Sequence, residues 1–149
     1  MKTVLITGAS RGIGLETALA FGRKGYQVFA TMRNTKNATD FKQIIKKESL
    51  NISLSEMDVD SDASVEKAMS AILKEVGFID ILVNNAGIER HGSTEEMPMH
   101  YFKAIMETNY FGVIRCVKGV LPLMRKNKKG CIVNVASVAG HISNSPLGA

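Results

Sequence analysis

The chain has 149 residues and a net charge of +5, and it is 45% hydrophobic and 22% charged. These proportions are typical of a single globular domain, here residues 1–149, that can bury a core of its own. No apolar run approaches the roughly 20 residues of a membrane span, and no basic-then-apolar leader is present. We therefore expect a cytoplasmic protein without a membrane partner.

The positive charge invites a nucleic-acid interpretation, because lysines cluster at residues 42–48 and 124–130. Both segments fall at the predicted C-terminal ends of helices, where cations complement the helix dipole, and neither carries aromatic residues that could stack on bases. We expect solvated helix ends and no nucleic-acid partner. The two cysteines, Cys116 and Cys131, stand far apart without a C-x-x-C pattern. They predict buried thiols in a reducing compartment and no metal site.

Short apolar runs alternate with helical periodicities along the whole chain. Strands are predicted at 3–7, 26–30, 52–57, 78–83 and 131–135, and helices at 12–24, 38–48, 62–76 (with Ser61 or Asp62 near its cap) and 99–126. This alternation predicts a doubly wound α/β fold, in which a parallel sheet carries helices on both faces. Ligands of such sheets bind beyond the carboxyl ends of the strands, so the residues that follow each strand are the informative ones.

The first predicted strand runs directly into a glycine-rich segment, TGASRGIG, at residues 7–14. Gly8 can turn the backbone sharply, Gly12 leaves no side chain between backbone and phosphate, and Gly14 lets the next helix lie close to the sheet. The unpaired amides of that helix start would face the anion. The segment predicts a pyrophosphate site, and the alternative is a glycine-rich turn of no functional consequence. The site would comprise Gly8, Ser10, Arg11, Gly12, Ile13 and Gly14.

The glycine spacing, G-x-x-x-G-x-G preceded by Thr7, differs from the common G-x-G-x-x-G fingerprint. It resembles that of the short-chain dehydrogenase/reductase family. The segment NNAG at residues 84–87 strengthens the resemblance, because it follows the fourth predicted strand as it does in that family. The resemblance implies a Rossmann-type sheet of strand order 3-2-1-4-5. It also implies that Asn85, Ala86 and Gly87 leave room for a ribose of the dinucleotide.

The residues after the second strand predict which nicotinamide cofactor is preferred. An NAD site would place an acid here to hold the ribose hydroxyls, but Arg33 stands in its place and Arg11 lies inside the glycine-rich segment. Two guanidinium groups suit a 2′-phosphate, since each is a permanent, bidentate donor. We therefore expect NADPH to be preferred, with NAD as a possible cofactor. The alternative is that Arg33 is an ordinary surface residue of a loop.

Asp58 and Val59 follow the third strand. The resemblance implies that the Asp58 side chain and the Val59 amide hold the adenine, whereas an isolated aspartate at this place is more often a turn or cap residue.

Two further residues match positions that carry chemistry in the family. Asn109 falls on the apolar stripe of the long predicted helix, and a buried amide without partners would cost about 1–3 kcal/mol. The resemblance implies that Asn109 distorts the helix and holds a water in a proton relay, and the alternative is a satisfied core asparagine. Ser137 follows the fifth strand, where the resemblance implies a serine that polarises the substrate carbonyl. His91 and His141 are each expected to be loop residues rather than catalytic bases.

The Tyr-x-x-x-Lys motif of the family is not found in these 149 residues. None of Tyr26, Tyr101 and Tyr110 is followed by lysine at the required spacing. The resemblance covers the front part of a family chain, so we expect a truncated sequence without meaningful turnover. Its fifth strand would then have an open outer edge, prone to self-association. The resemblance also implies a homo-oligomer in the full-length form.

Taken as part of a longer parent, the sequence predicts an NADP(H)-dependent oxidoreductase. Hydride transfer would reduce a small-molecule carbonyl or oxidise the corresponding alcohol. The alternative is a non-catalytic nucleotide-binding module, or an interaction partner of a full-length relative.

Overall fold

A computed structural model of the chain describes residues 1–140 and 142, and in this part five parallel strands form a sheet of order β3-β2-β1-β4-β5. This confirms the predicted fold class and strand order. The elements in chain order are β1 (Thr3–Ile6), α1 (Gly12–Arg23), β2 (Gln27–Met32), α2 (Thr39–Lys47), β3 (Ile52–Glu56), α3 (Asp62–Val76), β4 (Ile81–Asn84), α4 (Met99–Met106), a π-helical turn (Glu107–Phe111), α5 (Gly112–Lys126), β5 (Cys131–Asn134) and a 3₁₀ turn (Val138–Gly140).

The central strand β1 lies between β2 and β4, and all four of its residues are buried. Ile6 is in register with Ala30 of β2 and with Val83 of β4. The outer strands β3 and β5 pair with their neighbours in the same parallel sense. The chain therefore leaves every strand at the same edge of the sheet, and the loops after the strands gather there.

Apolar side chains cover both faces of the sheet. One buried cluster joins the sheet to α3 and α5, and it includes Leu5, Phe29, Met69, Ile72, Leu82, Cys116 and Val120. The other joins the sheet to α1 and α2, and it includes Val4, Ile6, Ala18, Leu19, Val28 and Phe41. Successive residues of β1 alternate between the two clusters because strand side chains alternate between faces. No helix within residues 1–140 and 142 combines the length and apolar character that crossing a membrane requires.

The long helix predicted at 99–126 is interrupted in the structure. Helix α4 ends at Met106, and the π-helical turn separates it from α5. A π-helical turn contains one residue more than an α-helical turn. The positions that face the core after it are therefore displaced along the sequence. The buried positions are Thr108, Gly112, Cys116, Val120 and Met124. The expectation that Asn109 is buried is therefore wrong, since this residue is exposed.

Strand β5 is at one edge of the described sheet and pairs with β4. Ile132 packs against the cluster beneath α5, whereas Cys131 and Val133 point to the opposite face and are exposed. The expectation of two buried thiols is thus wrong for Cys131. It is correct for Cys116, whose burial raises the pKa of its thiol to about 12.

Candidate cofactor-binding site

A cleft of about 350 Å³ opens at the carboxyl edge of the sheet. Its lining contains every residue that the sequence predicts to bind the cofactor, except Gly14. The sequence reasoning missed the other lining residues, which are Met32, Met57, Asp60, Ile88 and Thr108. Each of these lies next to a predicted site residue or within two positions of the end of a strand, and that nearness was the available signal.

The glycines of residues 7–14 have separate structural reasons. Gly8 has φ +66°, and a Cβ there would lie 2.7 Å from the Cα of Ala86. A Cβ on Gly14 would overlap the side-chain amide of Asn85 and lie 2.5 Å from the Gly8 carbonyl oxygen. Gly14 therefore lets α1 lie close to the loops after β1 and β4, and it does not itself line the cleft. Gly12 has φ +57° and nothing within 4 Å of its Cβ position, so bare backbone faces the cleft there.

Thr7 and Asn85 join the loop after β1 to the loop after β4. The Thr7 hydroxyl oxygen accepts hydrogen bonds from the amides of Asn85 (3.0 Å) and Ala86 (2.9 Å). The Asn85 side-chain amide donates in return to the carbonyl oxygens of Thr7 and Gly8, at 3.0 Å each. These reciprocal bonds fix the shape of the cleft floor. Asn85 consequently contributes to the site mainly by positioning the glycine-rich loop.

The first turn of α1 lacks the usual partners of a helix start. Its N-cap residue, Arg11, has an extended backbone and provides no side-chain cap, and the first turn contains no acidic residue. Gly12 and Ile13, the first two residues of this helix, both line the cleft. Free helix amides and the positive end of the helix dipole favour an anion. The arrangement fits a diphosphate group, since backbone donors and open space coincide.

Arg11 and Arg33 both line the cleft and are both exposed. Neither forms an ion pair with another residue in the described part of the chain. Glu56, which is in register with Met32 at the end of β2, accepts hydrogen bonds from the Thr35 hydroxyl and amide and does not line the cleft. The cleft lining thus carries two unpaired guanidinium groups, which suit a phosphate, beside the carboxylates of Asp58 and Asp60.

The loop after β3 carries Asp58 and Val59 into the cleft lining. Oδ1 of Asp58 accepts from the amide of Asp60 (3.1 Å), and the amide of Asp58 donates to the Ser64 hydroxyl (2.9 Å). Asp58 is thus a turn residue, which is the alternative that the sequence left open, and it also lines the cleft.

Both the nitrogen and the oxygen of the Asn109 side chain are hydrogen-bonded. Its Nδ2 donates to the carbonyl oxygen of Ile88 (2.8 Å), and its Oδ1 accepts from the amide of Ile88 (2.9 Å). The residue lies in the π-helical turn, so the helix is distorted where the resemblance implies. Ser137 is exposed, and its Oγ accepts from the amide of Ala139 (3.2 Å). Neither Asn109 nor Ser137 lines the cleft itself.

Other polar residues near the strand ends have structural roles. Asn84 is buried and donates from Nδ2 to Oδ1 of Asn134 (2.8 Å), which links β4 to β5, while its own Oδ1 has no partner within the described chain. His91 is exposed, with Nε2 3.6 Å from the Glu89 carboxylate, and does not line the cleft. His141 lies outside the described residues.

Comparisons with known proteins agree with this geometry. The family model for short chain dehydrogenase matches residues 2–148. The chain is 40% identical over 143 residues to retinol dehydrogenase 8 from Bos taurus, covering 93% of this chain and 45% of that protein. It is 37% identical over 144 residues to the 3-oxoacyl-[acyl-carrier-protein] reductase FabG from Vibrio cholerae, covering 97% of this chain and 58% of that protein.

Among solved structures, a gluconate 5-dehydrogenase from Burkholderia cenocepacia in complex with NADP and tartrate is similar to this chain with a TM-score of 0.89 and 32% identity. The match covers 99% of this chain and 58% of that one. The chain thus spans about half the length of the curated relatives it matches. Its sequence, its strand order and its glycine-lined cleft agree, and the chain belongs to the short-chain dehydrogenase family.

Proposed function

We propose that this chain binds NADP(H) in the cleft and forms the cofactor-binding part of an oxidoreductase that interconverts small carbonyl compounds and alcohols. The observation that carries the proposal is the uncapped start of α1, which meets bare backbone at Gly12 and the unpaired Arg11 and Arg33 at one cleft. The relatives that reduce or oxidise carbonyl and alcohol groups, and the NADP in one solved neighbour, support it.

Each part of the cofactor has residues suited to it. The α1 amides and Gly12 would hold the pyrophosphate, and the guanidinium groups of Arg11 and Arg33 would hold the 2′-phosphate. Asp58 and Val59 would adjoin the adenine. The loop that begins at Asn85 would adjoin the second ribose. When bound, the nicotinamide supplies or accepts the hydride.

The chain's own residues would orient the reacting groups. The Ser137 hydroxyl has its oxygen engaged by the amide of Ala139, so its proton is available to a substrate carbonyl oxygen. Asn109 holds the backbone of Ile88 through both ends of its side chain and so fixes the cleft wall beside the reacting centre. In a full-length form, the exposed apolar side chains of the π-helical turn and α5, which include Tyr110, Phe111 and Ile114, would face a second subunit.

The test of cofactor choice is calorimetric titration with NADPH and NADH. We expect tighter binding of NADPH, and Arg33→Ala should weaken NADPH binding about tenfold or more, because it removes a charge-assisted contact to the 2′-phosphate. NADH binding should change less than twofold. The matched control is Arg125→Ala, an exposed arginine in the last turn of α5 with the same change in charge. A preference for NADH, or equal losses for both cofactors, would refute the proposed specificity.

A second candidate function is nucleotide binding without redox chemistry. It is favoured by the sequence, because these 149 residues contain no Tyr-x-x-x-Lys motif. A turnover assay with NADPH and a panel of carbonyl compounds, including retinal and short ketones, separates the two functions. NADPH binding without oxidation of the cofactor supports the second candidate for this chain, and carbonyl-dependent NADPH oxidation supports the first.

A further inference from the structure

One face of the helical segment from Thr108 to Arg115 holds the loop at residues 58–62. The Thr108 hydroxyl donates to Oδ2 of Asp60 at 3.0 Å, and Nη1 of Arg115 donates to the carbonyl oxygen of Val59 at 3.2 Å. Between them, Gly112 allows close approach, since a Cβ there would lie 2.9 Å from Cγ2 of Val59. The contacts are therefore both polar and steric, and they converge on the loop that carries Asp58 and Val59.

The charge of Arg115 is balanced within this arrangement. Its Nε donates to Asp62 and its Nη2 pairs with Glu107. The hydrogen bond to Asp62 raises the pKa of Arg115 above its ordinary value, with that to Glu107 adding to it. The guanidinium therefore stays charged and remains tied to the loop, and it is not available to a phosphate in the cleft.

The residue next to Thr108 holds the other wall of the cleft. Asn109 is bonded to both backbone groups of Ile88, in the loop after β4. Thr108 and Asn109 are consecutive in the π-helical turn, so their side chains leave the helix in different directions. Within this one turn, Thr108 thus bonds to the loop after β3 and Asn109 bonds to the loop after β4.

We infer that Thr108 is a positioning residue for the adenine half of the cofactor, acting through Asp60, beside the place at the nicotinamide half that the proposed function already gives to Asn109. The inference rests on the proposed function and adds a division of labour within the turn. Its geometric support is that Asp60 lines the cleft beside Val59 and that the Thr108 hydroxyl holds its carboxylate there.

The experiment compares NADPH with 2′,5′-ADP, which contains only the adenine half, by calorimetric titration of the 149-residue chain. Thr108→Val keeps the shape of the side chain and removes the hydroxyl, so it should weaken both ligands about fivefold, the effect of one hydrogen bond. Thr108→Ser keeps the hydroxyl and should bind both ligands within about twofold of the wild type. Asn109→Ala should weaken NADPH selectively, so that the ratio of the two affinities changes.

A purely structural role of the turn would give a different pattern. If Thr108→Val and Asn109→Ala weaken 2′,5′-ADP equally, or if Thr108→Val binds as the wild type does, the inference is overturned while the proposed function stands. If the wild-type chain binds neither ligand, the proposed function fails and the inference fails with it. The two failures are therefore distinguishable.

Asp60→Ala provides a second route that does not disturb a buried position, because Asp60 is exposed. Loss of its negative charge would by itself strengthen the binding of a phosphate, so weaker binding of 2′,5′-ADP has the sign of lost positioning and not of lost charge. We expect Asp60→Ala to weaken 2′,5′-ADP, and we expect the Thr108→Val/Asp60→Ala double variant to lose no more than either single variant. Tighter or unchanged binding by Asp60→Ala would overturn the inference.

Discussion

Helices α1 and α3 both begin just beyond the carboxyl edge of the sheet, but their first turns are built differently. In α3, Oγ of Ser61 accepts from the amide of Ser64 (3.3 Å), and Asp62 adds a negative charge to the first turn. In α1, the equivalent position is Arg11, which provides no side-chain cap, and the first turn contains no acid. One helix therefore caps a first-turn amide with its own side chain, whereas the other has no such cap and begins in the cleft lining.

This difference indicates which helix start is available to a ligand. A side-chain cap contributes about 0.5–2 kcal/mol to stability, and α1 forgoes that contribution at its N-terminus. At its opposite end the amides of the three residues that follow the helix donate to the carbonyl oxygens of Ala20, Phe21 and Gly22. Arg23 also forms a two-pronged ion pair with Glu48 at 2.7 and 2.8 Å. The missing partners are thus confined to the end that faces the cleft, as expected if a bound anion takes the place of the cap.

The largest effect is expected when α1 is given a side-chain cap at its N-terminus. Arg11→Asp places a carboxylate at an extended N-cap position, where it can accept from the first-turn amides. We expect NADPH affinity to fall about 100-fold, because a cationic contact is lost and a negative charge replaces it. The melting temperature of the ligand-free protein should rise, by about 2–4 °C per kcal/mol gained. Calorimetric titration and thermal unfolding measure the two effects.

The control for charge is Arg125→Asp, in the last turn of α5. It changes the net charge equally but places an acid at the negative end of a helix dipole, so it should lower the melting temperature and leave NADPH affinity within about twofold. If Arg11→Asp lowers the melting temperature as well, the open start of α1 is not an unmet capping position. The comparison with α3 would then lose its basis.

The converse change removes the cap that α3 has. Ser61→Ala should destabilise the protein by about 1 kcal/mol, because the Ser64 amide loses its acceptor. NADPH affinity should fall less than about threefold, since the α3 amides face no ligand in the proposed function. Chemical denaturation gives the stability, and Ser70→Ala, an exposed position in the middle of α3, is the matched control that should be neutral or stabilising. A larger loss of affinity than of stability would contradict the distinction between the two helix starts.

The fold was predictable because its signals are local and repeated. Apolar runs such as that of β1 and helical periodicities such as that of α3 each specify an element, and their alternation specifies a parallel sheet. The glycine-rich loop was predictable for a similar reason. Gly8, Gly12 and Gly14 stand where the backbone requires a positive φ or a close approach, which glycine allows best. The strand ends were less certain: β4 begins at Ile81 rather than at residue 78.

The parts of the site that the sequence did not reveal depend on contacts between distant segments. Thr7 bonds to residues 85 and 86, and Thr108 bonds to Asp60, and neither pairing leaves a periodic signal in the chain. The burial of Asn109 was misjudged because it was inferred from an apolar stripe at regular helical spacing, and the π-helical turn changes which residues face inward. Side-chain hydrogen bonds between loops are thus not predictable from this sequence, whereas the positions at which the backbone requires glycine are.

The smallest expected effect concerns the end of α1 that does have its partners. The hydrogen bond from Arg23 lowers the pKa of Glu48 from its ordinary value of 4.5. Because the folded-state pKa lies below the unfolded one, the stabilising contribution is present above about pH 4.5 and is lost as the pH falls through the folded-state value. Glu48→Gln removes this contribution, so its melting temperature should lie slightly below that of the wild type at about pH 6, and the gap should close toward about pH 3.

The pair is exposed and screened by solvent, so the gap should be small even at low salt and should shrink further in high salt. In an Arg23→Gln background, Glu48→Gln should leave the melting temperature nearly unchanged at every pH, because the partner that lowers the pKa of Glu48 is gone. A gap that widens on acidification would have the wrong sign for this ion pair. In that case Glu48 would not stabilise the C-terminal end of α1, and this ion pair could not contribute to the difference between the two ends of the helix.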